Sequence, residues 1–389
     1  MKKLKILCAV LSVTLVILLG ILAFLIMNRG SENVDIFKYY EKGSFRQYSM
    51  NEIYLKFIGR SAAADDGIIL SHSGSGISFI CKGDYAEITV KPENSYVNSS
   101  HYPRIAIYSD GNLVADECIG AEKTYRIDTA YSGTEIKLIK LSEAMHSSLK
   151  VTGVSSYGME DISPSQEKSL KIEFIGDSIT CGYGVDGNTV GYFTTATENF
   201  SRTYAYLTAQ KLDADYSAVC YSGYGVLSGY SVNGVRNDKK VMNEYDKACH
   251  ISGQDDPLWD FTRVSNDVVV INLGTNDASY CSSDSYRRQQ FAEEYVKMLC
   301  TVREKNPEAY ILCILGDMNN SLYSSIEAAV SQYTALYFDS RVQAFPVEFR
   351  MGENDVVIDG HPGALSNMCA AEMLTEKIKE LVGYGFIER

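Results

Sequence analysis

The sequence is short of positive charge. Its 389 residues include 36 Lys and Arg against 49 Asp and Glu, which gives a formal net charge of −13 at pH 7, and no long basic stripe interrupts this acidic background. The phosphate backbone of a nucleic acid is a polyanion that such a chain repels. We therefore expect no nucleic-acid partner.

The ten cysteines lack the spacings that hold a metal ion. No Cys-x-x-Cys pair is present, and no histidine follows a cysteine at the spacing of a zinc site. Cys8 lies in an apolar N-terminal run, and the other nine are an odd, scattered set. We expect most of them to be small buried hydrophobic residues, and the sequence implies no metal or organic cofactor and assigns no disulfide.

The sequence has one tryptophan and no long apolar segment of the kind that forms a lipase lid. Because apolar and turn residues surround Trp259, we interpret it as a packing residue in front of the "VVVIN" run rather than as a platform on which a sugar stacks. The absence of a lid disfavours a soluble cytoplasmic lipase.

The N-terminus lacks a small-x-small cleavage site after its apolar run. Lys2, Lys3 and Lys5 precede an uncharged run, Ile6–Met27, that is longer than the about 20 residues needed to cross a bilayer as a helix. This pattern favours an uncleaved anchor over a cleaved signal peptide within residues 1–30. The positive residues keep the start of the chain in the cytoplasm. We therefore expect a membrane-anchored protein of the cell surface, with secretion after signal cleavage as the alternative.

Two different patterns follow the anchor. Residues 37–157 consist of short alternating runs such as "GISFICKG" and "YAEITVKP", which predict an antiparallel β-sandwich of jelly-roll type. A charged, Ser-rich connector at 158–169 then leads to residues 168–389. There, continuous apolar runs such as "DVVVINLG" alternate with helical stretches, and this pattern predicts a three-layer α/β/α domain with a parallel sheet. The predicted helices are Ser201–Leu212, Tyr286–Glu304, Ser321–Leu336 and Pro362–Val382.

Polar residues lie near the ends of the predicted parallel strands, in four segments. Ligands of open α/β sheets bind beyond the carboxyl ends of the strands, so we expect these segments to come together there. The segments are "GDSIT" with Ser178, "YSGYGV" with Gly223, "INLGTNDAS" with Asn276, and "IDGHPG" with Asp359 and His361.

Each of these residues also has an ordinary interpretation. Ser178 is either an activated nucleophile or a helix cap, and the Gly-x-Ser-x-Gly pattern of classical esterases is absent. Gly223 either exposes a backbone N–H or makes a plain turn. Asn276 is either a neutral oxyanion donor or an Asx-turn residue. The order of the four segments and their placement after strands favour the functional interpretation, in which an imidazole removes the proton of Ser178.

In combination, the four segments resemble the four sequence blocks of the SGNH/GDSL hydrolases. Residues 257–277 ("PLWDFTRVSNDVVVINLGTND"), 57–60 ("FIGR") and 139–154 ("IKLSEAMHSSLKVTGV") further resemble the two-domain acetylesterases of carbohydrate esterase family 2. Those enzymes join an N-terminal jelly roll to an SGNH domain. The resemblance covers nearly everything from about residue 50 onward.

The resemblance implies a role for each candidate residue. Ser178 would be the nucleophile and His361 the general base and acid, with Asp359 orienting the imidazole. The oxyanion hole would consist of the backbone N–H groups of Ser178 and Gly223 and the side chain of Asn276.

The spacing before the histidine departs from the commoner family pattern. Only Gly360 stands between Asp359 and His361, where most members have two residues. Some members hold the imidazole by backbone carbonyls, so a Ser–His dyad is the alternative to a triad with Asp359.

The implied activity is that of a serine esterase that removes O-acetyl groups from a carbohydrate, such as acetyl-xylan, another oligosaccharide or a cell-wall glycan, through an acetyl-enzyme. An extracellular glycan O-acetyltransferase is one alternative, although a single apolar span offers no route for importing the acetyl donor. A non-catalytic glycan-binding protein is another, although such a protein is expected to lose its serine or histidine.

Overall fold

The computed structural model describes residues 43–94, 97–316, 318–349, 352 and 355–383. The predicted membrane segment within residues 1–30 lies outside these residues, as does the beginning of the predicted sandwich. Within the described ranges, no helix is long and apolar enough to span a bilayer. From Ser44 onward the chain forms one compact unit, and the boundaries 37–157 and 168–389 stay predictions.

Two antiparallel sheets make up the first half of this unit, as the alternating sequence pattern predicts. The strands of one sheet lie in the order β3-β4-β11-β6-β9, with β1 against β11, and those of the other lie in the order β12-β5-β10-β7-β8, with β2 against β5. The strands are β1 (Ser44–Gln47), β2 (Lys56–Ile58), β3 (Ala62–Ala64), β4 (Gly67–Leu70), β5 (Gly76–Cys81), β6 (Gly83–Pro92), β7 (Arg104–Ser109), β8 (Asn112–Cys118), β9 (Lys123–Asp128), β10 (Thr134–Lys140), β11 (Leu149–Gly158) and β12 (Ser163–Pro164).

The core of the sandwich follows from the two-residue period of its strands. In β6, every second side chain faces the other sheet, so Ala86, Ile88 and Val90 are fully buried. They pack in one hydrophobic cluster with residues of the facing sheet, such as Leu138. The polar residues between them face outward, which is what an antiparallel sheet with one wet face requires.

The second half contains a parallel sheet of five strands in the order β14-β13-β15-β16-β17. Its strands are β13 (Lys171–Gly176), β14 (Asp215–Cys220), β15 (Val268–Asn272), β16 (Tyr310–Ile314) and β17 (Val342–Ala344). The α-helices are α1 (Ser178–Cys181), α2 (Tyr204–Lys211), α3 (Thr275–Cys281), α4 (Ser285–Lys305), α5 (Tyr323–Tyr337) and α6 (Ala364–Val382). Short 3-10 turns occur at Ser99–His101, Thr195–Thr197, Phe200–Arg202, Val241–Asn243, Phe261–Arg263 and Ile358–Gly360.

Helices cover both faces of this sheet, and the predicted three-layer α/β/α architecture is confirmed. On β15, Val268 and Val270 pack in one cluster with residues of α2 and α6. Val269 and Ile271 pack on the opposite face with residues of α4 and α5. All four side chains are completely buried, which explains why the sequence of this strand is continuously apolar.

Helix α2 begins at Tyr204, three residues after the predicted start at Ser201. The reason is local: residues 200–202 form a 3-10 turn, and the hydroxyl of Thr203 accepts the N–H of Tyr206 and so caps the helix. Capping by a threonine hydroxyl fixes the first turn of a helix more strongly than the propensity of the residues before it.

A buried ion pair joins the sandwich to the parallel sheet. Arg60 donates from Nη2 to Oε1 of Glu173 on β13 over 2.8 Å, and the two side chains are 0% and 2% exposed. The Tyr245 hydroxyl donates to the other carboxylate oxygen over 2.7 Å. Trp259 is half-buried, and its ring centroid lies 5.5 Å from Cζ of the same guanidinium, so it contacts this ion pair.

Candidate active site

The first parallel strand ends in a tight turn that presents Ser178. Strand β13 stops at Gly176, and Ser178 is the first residue of the short helix α1, which Asp177 caps by accepting the N–H of Ile179 over 3.1 Å. A Cβ atom at position 176 would lie 1.9 Å from Oγ1 of Thr180, so only glycine allows the helix to fold back so closely on the strand. The "GDS" motif, residues 176–178, therefore forms this turn: the glycine allows the close approach, the aspartate caps the helix, and the serine is presented.

The structure brings His361 to Ser178 across the fold. Nε2 of His361 lies 2.7 Å from Oγ of Ser178, and the two residues are 7% and 6% exposed. Nδ1 of the same ring lies 3.0 Å from the carbonyl oxygen of Ile358. A carbonyl only accepts, so Nδ1 carries the proton and Nε2 is the acceptor that faces the serine hydroxyl.

Asp359 does not contact the imidazole that it was predicted to orient. Its carboxylate accepts the hydroxyl hydrogen of Tyr183 over 2.9 Å, and the backbone carbonyl of Ile358 takes its place beside Nδ1. Asp359 has a positive φ of 53° and Gly360 one of 79°, so the chain turns the carboxylate outward just before the histidine. This arrangement is the dyad alternative left open by the short Asp–His spacing.

Burial lowers the pKa of His361 below its usual value, because the charged ring loses its hydration. The carbonyl of Ile358 and the negative charges of Asp359 and Glu143 oppose this effect without cancelling it. The ring is therefore neutral at neutral pH, which is the state in which Nε2 can accept a proton.

Two backbone N–H groups near the serine are without an acceptor among the described residues: those of Ser178 and Gly223. Gly223 has a φ of 78°, and the space where a Cβ atom would stand is open. The Nδ2 group of Asn276 donates to the carbonyl oxygen of Tyr224 over 2.9 Å and to the carboxylate of Asp177 over 3.2 Å. Asn276 thus links the Gly223 loop to the turn before Ser178, and both of its Nδ2 hydrogens are engaged.

Asp277 fixes the Gly223 loop, a role that sequence reasoning did not assign to it. Its fully buried carboxylate accepts the backbone N–H groups of three consecutive residues, Val226, Leu227 and Ser228, at distances from 2.7 to 3.2 Å. Burial raises the pKa of Asp277 to about 6, although the three N–H groups favour the ionised form. The sequence signal is the pair Asn276-Asp277 at the end of a buried strand.

A column of aromatic rings covers His361. The ring of Tyr183 lies 4.5 Å from that of His361 and stacks on Phe193 at 4.0 Å, centroid to centroid. Phe193 in turn lies 4.9 Å from the ring of His146, which belongs to the sandwich half. Such packing fixes the plane of the imidazole and keeps water away from its face.

Among the described residues, one group could hold a metal ion by its chemistry: Glu143, Cys181 and Glu198, whose potential ligand atoms lie within 4.8 Å of one another. Beside this group, the fully buried ammonium of Lys140 donates to the backbone carbonyls of Ser142 and Glu143, and its charge interacts with the carboxyl groups of Glu198 and Glu143. We therefore describe it as a network of buried charges rather than as a metal site.

The family relationship agrees with this geometry. Residues 174–346 match the model of the GDSL-like Lipase/Acylhydrolase family. They form a GDSL/SGNH acylhydrolase domain. This stretch contains the serine turn and the segments with Gly223 and Asn276, and His361 follows it.

Whole-chain relatives extend the similarity to the sandwich half. The chain is 29% identical over 323 residues to "Cellulase/esterase CelE" of Acetivibrio thermocellus, a match that covers 80% of this chain and 37% of that protein. It therefore spans little more than a third of that relative. It is 23% identical over 337 residues to an "Acetylxylan esterase / glucomannan deacetylase" of Cellvibrio japonicus, which covers 85% and 90% of the two chains.

A solved structure shows the same architecture. A family two carbohydrate esterase from Clostridium thermocellum, solved in complex with cellohexaose, superposes with a TM-score of 0.73 at 27% identity and covers 85% of this chain and 99% of that one. The combination of an antiparallel N-terminal part with a parallel five-stranded domain is thus that of the two-domain carbohydrate esterases of family 2.

Replacing Asp359 by Asn tests what holds the imidazole. We expect the pKa of His361 to fall further, because the negative charge of Asp359 favours the imidazolium. The hydrogen bond from Nδ1 to Ile358 should remain, because its acceptor is a backbone atom. A pH titration of the histidine rings by NMR measures the pKa, and the Nδ1 proton signal reports the hydrogen bond.

The control for this experiment is Asp128→Asn, which removes a carboxylate with a 92% exposed side chain on the sandwich. It should leave the titration of His361 unchanged. Loss of the ordered Nδ1 proton in Asp359→Asn would contradict our description, because it would show that Asp359 holds the ring.

Proposed function

We propose that this chain is a serine esterase that removes O-acetyl groups from a carbohydrate through an acetyl-enzyme. The observation that carries the proposal is the 2.7 Å contact between Oγ of Ser178 and Nε2 of His361, with the proton of the ring on Nδ1. A hydroxyl is a useful nucleophile at neutral pH only when a neighbouring base takes its proton, and a neutral imidazole at this distance is such a base.

In the first half of the reaction, Oγ of Ser178 attacks the acetyl carbonyl carbon while Nε2 of His361 takes the hydroxyl proton. The imidazolium that forms donates from Nδ1 to the carbonyl of Ile358, and the nearby charge of Asp359 stabilises it. When the tetrahedral intermediate collapses, Nε2 returns the proton to the departing sugar oxygen. Water then cleaves the acetyl-enzyme by the same route.

The tetrahedral intermediate carries its negative charge on the former carbonyl oxygen. The free backbone N–H groups of Ser178 and Gly223 are the donors for this oxygen. The Nδ2 group of Asn276 becomes a third donor when it gives up its hydrogen bond to either the Tyr224 carbonyl or the Asp177 carboxylate. Preorganised donors of this kind contribute more than any other single feature of many acyl-transfer sites.

The substrate class rests on the relatives. One is named an acetylxylan esterase and glucomannan deacetylase, and another is a family two carbohydrate esterase that binds cellohexaose. We therefore propose acetylated plant polysaccharides of the xylan and glucomannan type as substrates. No metal or organic cofactor takes part in the proposed chemistry.

Ser178→Ala should abolish the release of acetate from acetylated xylan, glucomannan and p-nitrophenyl acetate. We expect kcat to fall by at least about 10⁴-fold, because no other group can form the acetyl-enzyme. Free acetate is measured by an enzyme-coupled assay.

Ser331→Ala is the matched control, since it removes an exposed serine hydroxyl on α5 and should leave the rate unchanged. Acetate release by Ser178→Ala at the wild-type rate, with circular dichroism showing both variants folded, would refute the mechanism.

The rate should depend on the ionisation of His361. Only the neutral ring accepts the serine proton, so kcat/KM should rise with pH through the pKa of this residue and then level off. Because burial lowers that pKa, the midpoint should lie below the usual value for histidine. A pH profile of kcat/KM with p-nitrophenyl acetate measures it. A midpoint above pH 7 would contradict the assignment of His361 as a buried, neutral base.

We further propose that the protein is held at the cell surface by the apolar run Ile6–Met27, with the catalytic part outside the cytoplasm. The support is the sequence alone: three lysines before the run and no cleavage site after it. Fractionation of expressing cells should place the full chain in the membrane fraction, and protease added to intact cells or protoplasts should remove it. Recovery of the full chain in the cytosolic fraction would refute the proposal.

A further inference from the structure

A carboxylate of the sandwich half reaches the backbone of the candidate active site. Glu143 lies in the segment that follows β10, and it is completely buried. Its Oε2 atom accepts the backbone N–H of Ser222 over 2.8 Å and the thiol hydrogen of Cys181 over 3.6 Å. One oxygen atom from the first half of the molecule is therefore shared by two segments of the second half.

These two segments are the ones that carry the free N–H groups. Ser222 immediately precedes Gly223, and Cys181 is the last residue of α1, the four-residue helix that begins with Ser178. The positions of the Ser178 and Gly223 N–H groups relative to each other thus depend on a common anchor. A shift of about 1 Å in such a group is enough to lower a catalytic rate by about 10²-fold.

Glu143 is itself held rigidly. Its own backbone N–H donates to Oε2 of Glu198 over 3.0 Å, and Nζ of Lys140 donates to its carbonyl oxygen over 3.0 Å. Burial opposes ionisation of Glu143, but the imidazole of His146, whose Nε2 lies 3.5 Å from Oε1, and the N–H of Ser222 outweigh it, so the pKa of Glu143 lies below its usual value. Burial and the charge of Glu143 raise the pKa of Glu198 well above its usual value, so Glu143 carries the negative charge of the pair.

We propose that Glu143 is a positioning residue for the oxyanion hole, so that the sandwich half supplies part of the catalytic geometry of the acylhydrolase half. Glu143 acts through Ser222 and Cys181 and does not touch the substrate. This inference rests on the proposed esterase function, and it predicts that the two halves are not independent in catalysis.

Glu143→Ala should lower kcat for p-nitrophenyl acetate by about 10²-fold, because the Gly223 N–H loses its fixed position. KM should change little, because Glu143 lies beneath the site and makes no contact with the ground-state substrate. The inhibition constant of a small alkylboronic acid should rise by the same factor as kcat falls. The tetrahedral adduct that the boronic acid forms on Ser178 places a negatively charged oxygen at the position that the oxyanion of the tetrahedral intermediate occupies.

Glu143→Gln separates positioning from simple stability. The amide oxygen of Gln can still accept the N–H of Ser222, so this variant should recover most of kcat, to within about tenfold of the wild type. Glu143→Asp keeps the charge but shortens the side chain by one methylene, and it should resemble the Ala variant in kcat. If Glu143→Ala does not fold, the comparison of the Gln and Asp variants decides the question.

Asp215→Ala is the matched control. Its carboxylate also joins the two halves, accepting Nζ of Lys56 over 2.6 Å and the N–H of Lys168 over 2.9 Å, but it stands at the amino end of the parallel sheet. It should lower the free energy of unfolding in urea without a change in kcat or in boronic acid inhibition.

Two results would overturn the inference: wild-type kcat in folded Glu143→Ala, or equal losses of kcat in Glu143→Gln and Glu143→Asp. Failure of the esterase proposal itself is recognised separately. It would appear as absence of acetate release by the wild type or as undiminished release by Ser178→Ala.

Discussion

The hydrogen bond between the Ser178 hydroxyl and Nε2 of His361 is the interaction on which the rest of the site depends. The two residues are 183 positions apart, and only the parallel sheet brings them together. Ser178 follows β13, which lies between β14 and β15 in the sheet, and His361 stands just before the last helix, α6. Because both side chains are buried, the imidazole stays neutral and its free nitrogen stays aimed at the hydroxyl.

A backbone carbonyl rather than a carboxylate holds the other nitrogen of the ring. The carbonyl of Ile358 fixes the tautomer as well as a carboxylate would, but it brings only a partial charge. Less stabilisation of the imidazolium leaves burial as the dominant influence on the pKa of His361. The carboxylate of Asp359 is then available to accept the Tyr183 hydroxyl and so to fix the aromatic ring that covers the imidazole.

The sequence predicts the fold and the meeting of the polar segments because both depend on periodicity. Continuous apolar runs such as the "VVVI" of β15 identify strands buried on two faces, and polar residues after such strands must share one edge. The partner of Nδ1 could not be predicted, since a carbonyl is present at every residue and carries no sequence signal. The roles of Asp277 and Glu143 arise from contacts between distant segments, and a local pattern does not reveal them.

Buried carboxylates fix the serine turn and the Gly223 loop, and this has a consequence for stability. Asp177 caps the serine turn, and Asp277 holds the loop after Gly223, each by accepting backbone N–H groups. Burial raises the pKa of Asp177 to about 7 and that of Asp277 to about 6, well above the values of an unfolded chain. A carboxyl group with a raised pKa in the folded state stabilises the fold fully at pH values below its unfolded pKa. This contribution is lost as the pH rises from the unfolded pKa through the pKa values of the folded state, between about pH 4 and 7.

The imidazole of His361 has the opposite effect. Because protonation of a buried ring costs free energy, this residue destabilises the fold in acid and not at neutral pH. The buried carboxyl groups that hold the site therefore lower the stability of the fold near neutral pH, where the proposed base is active.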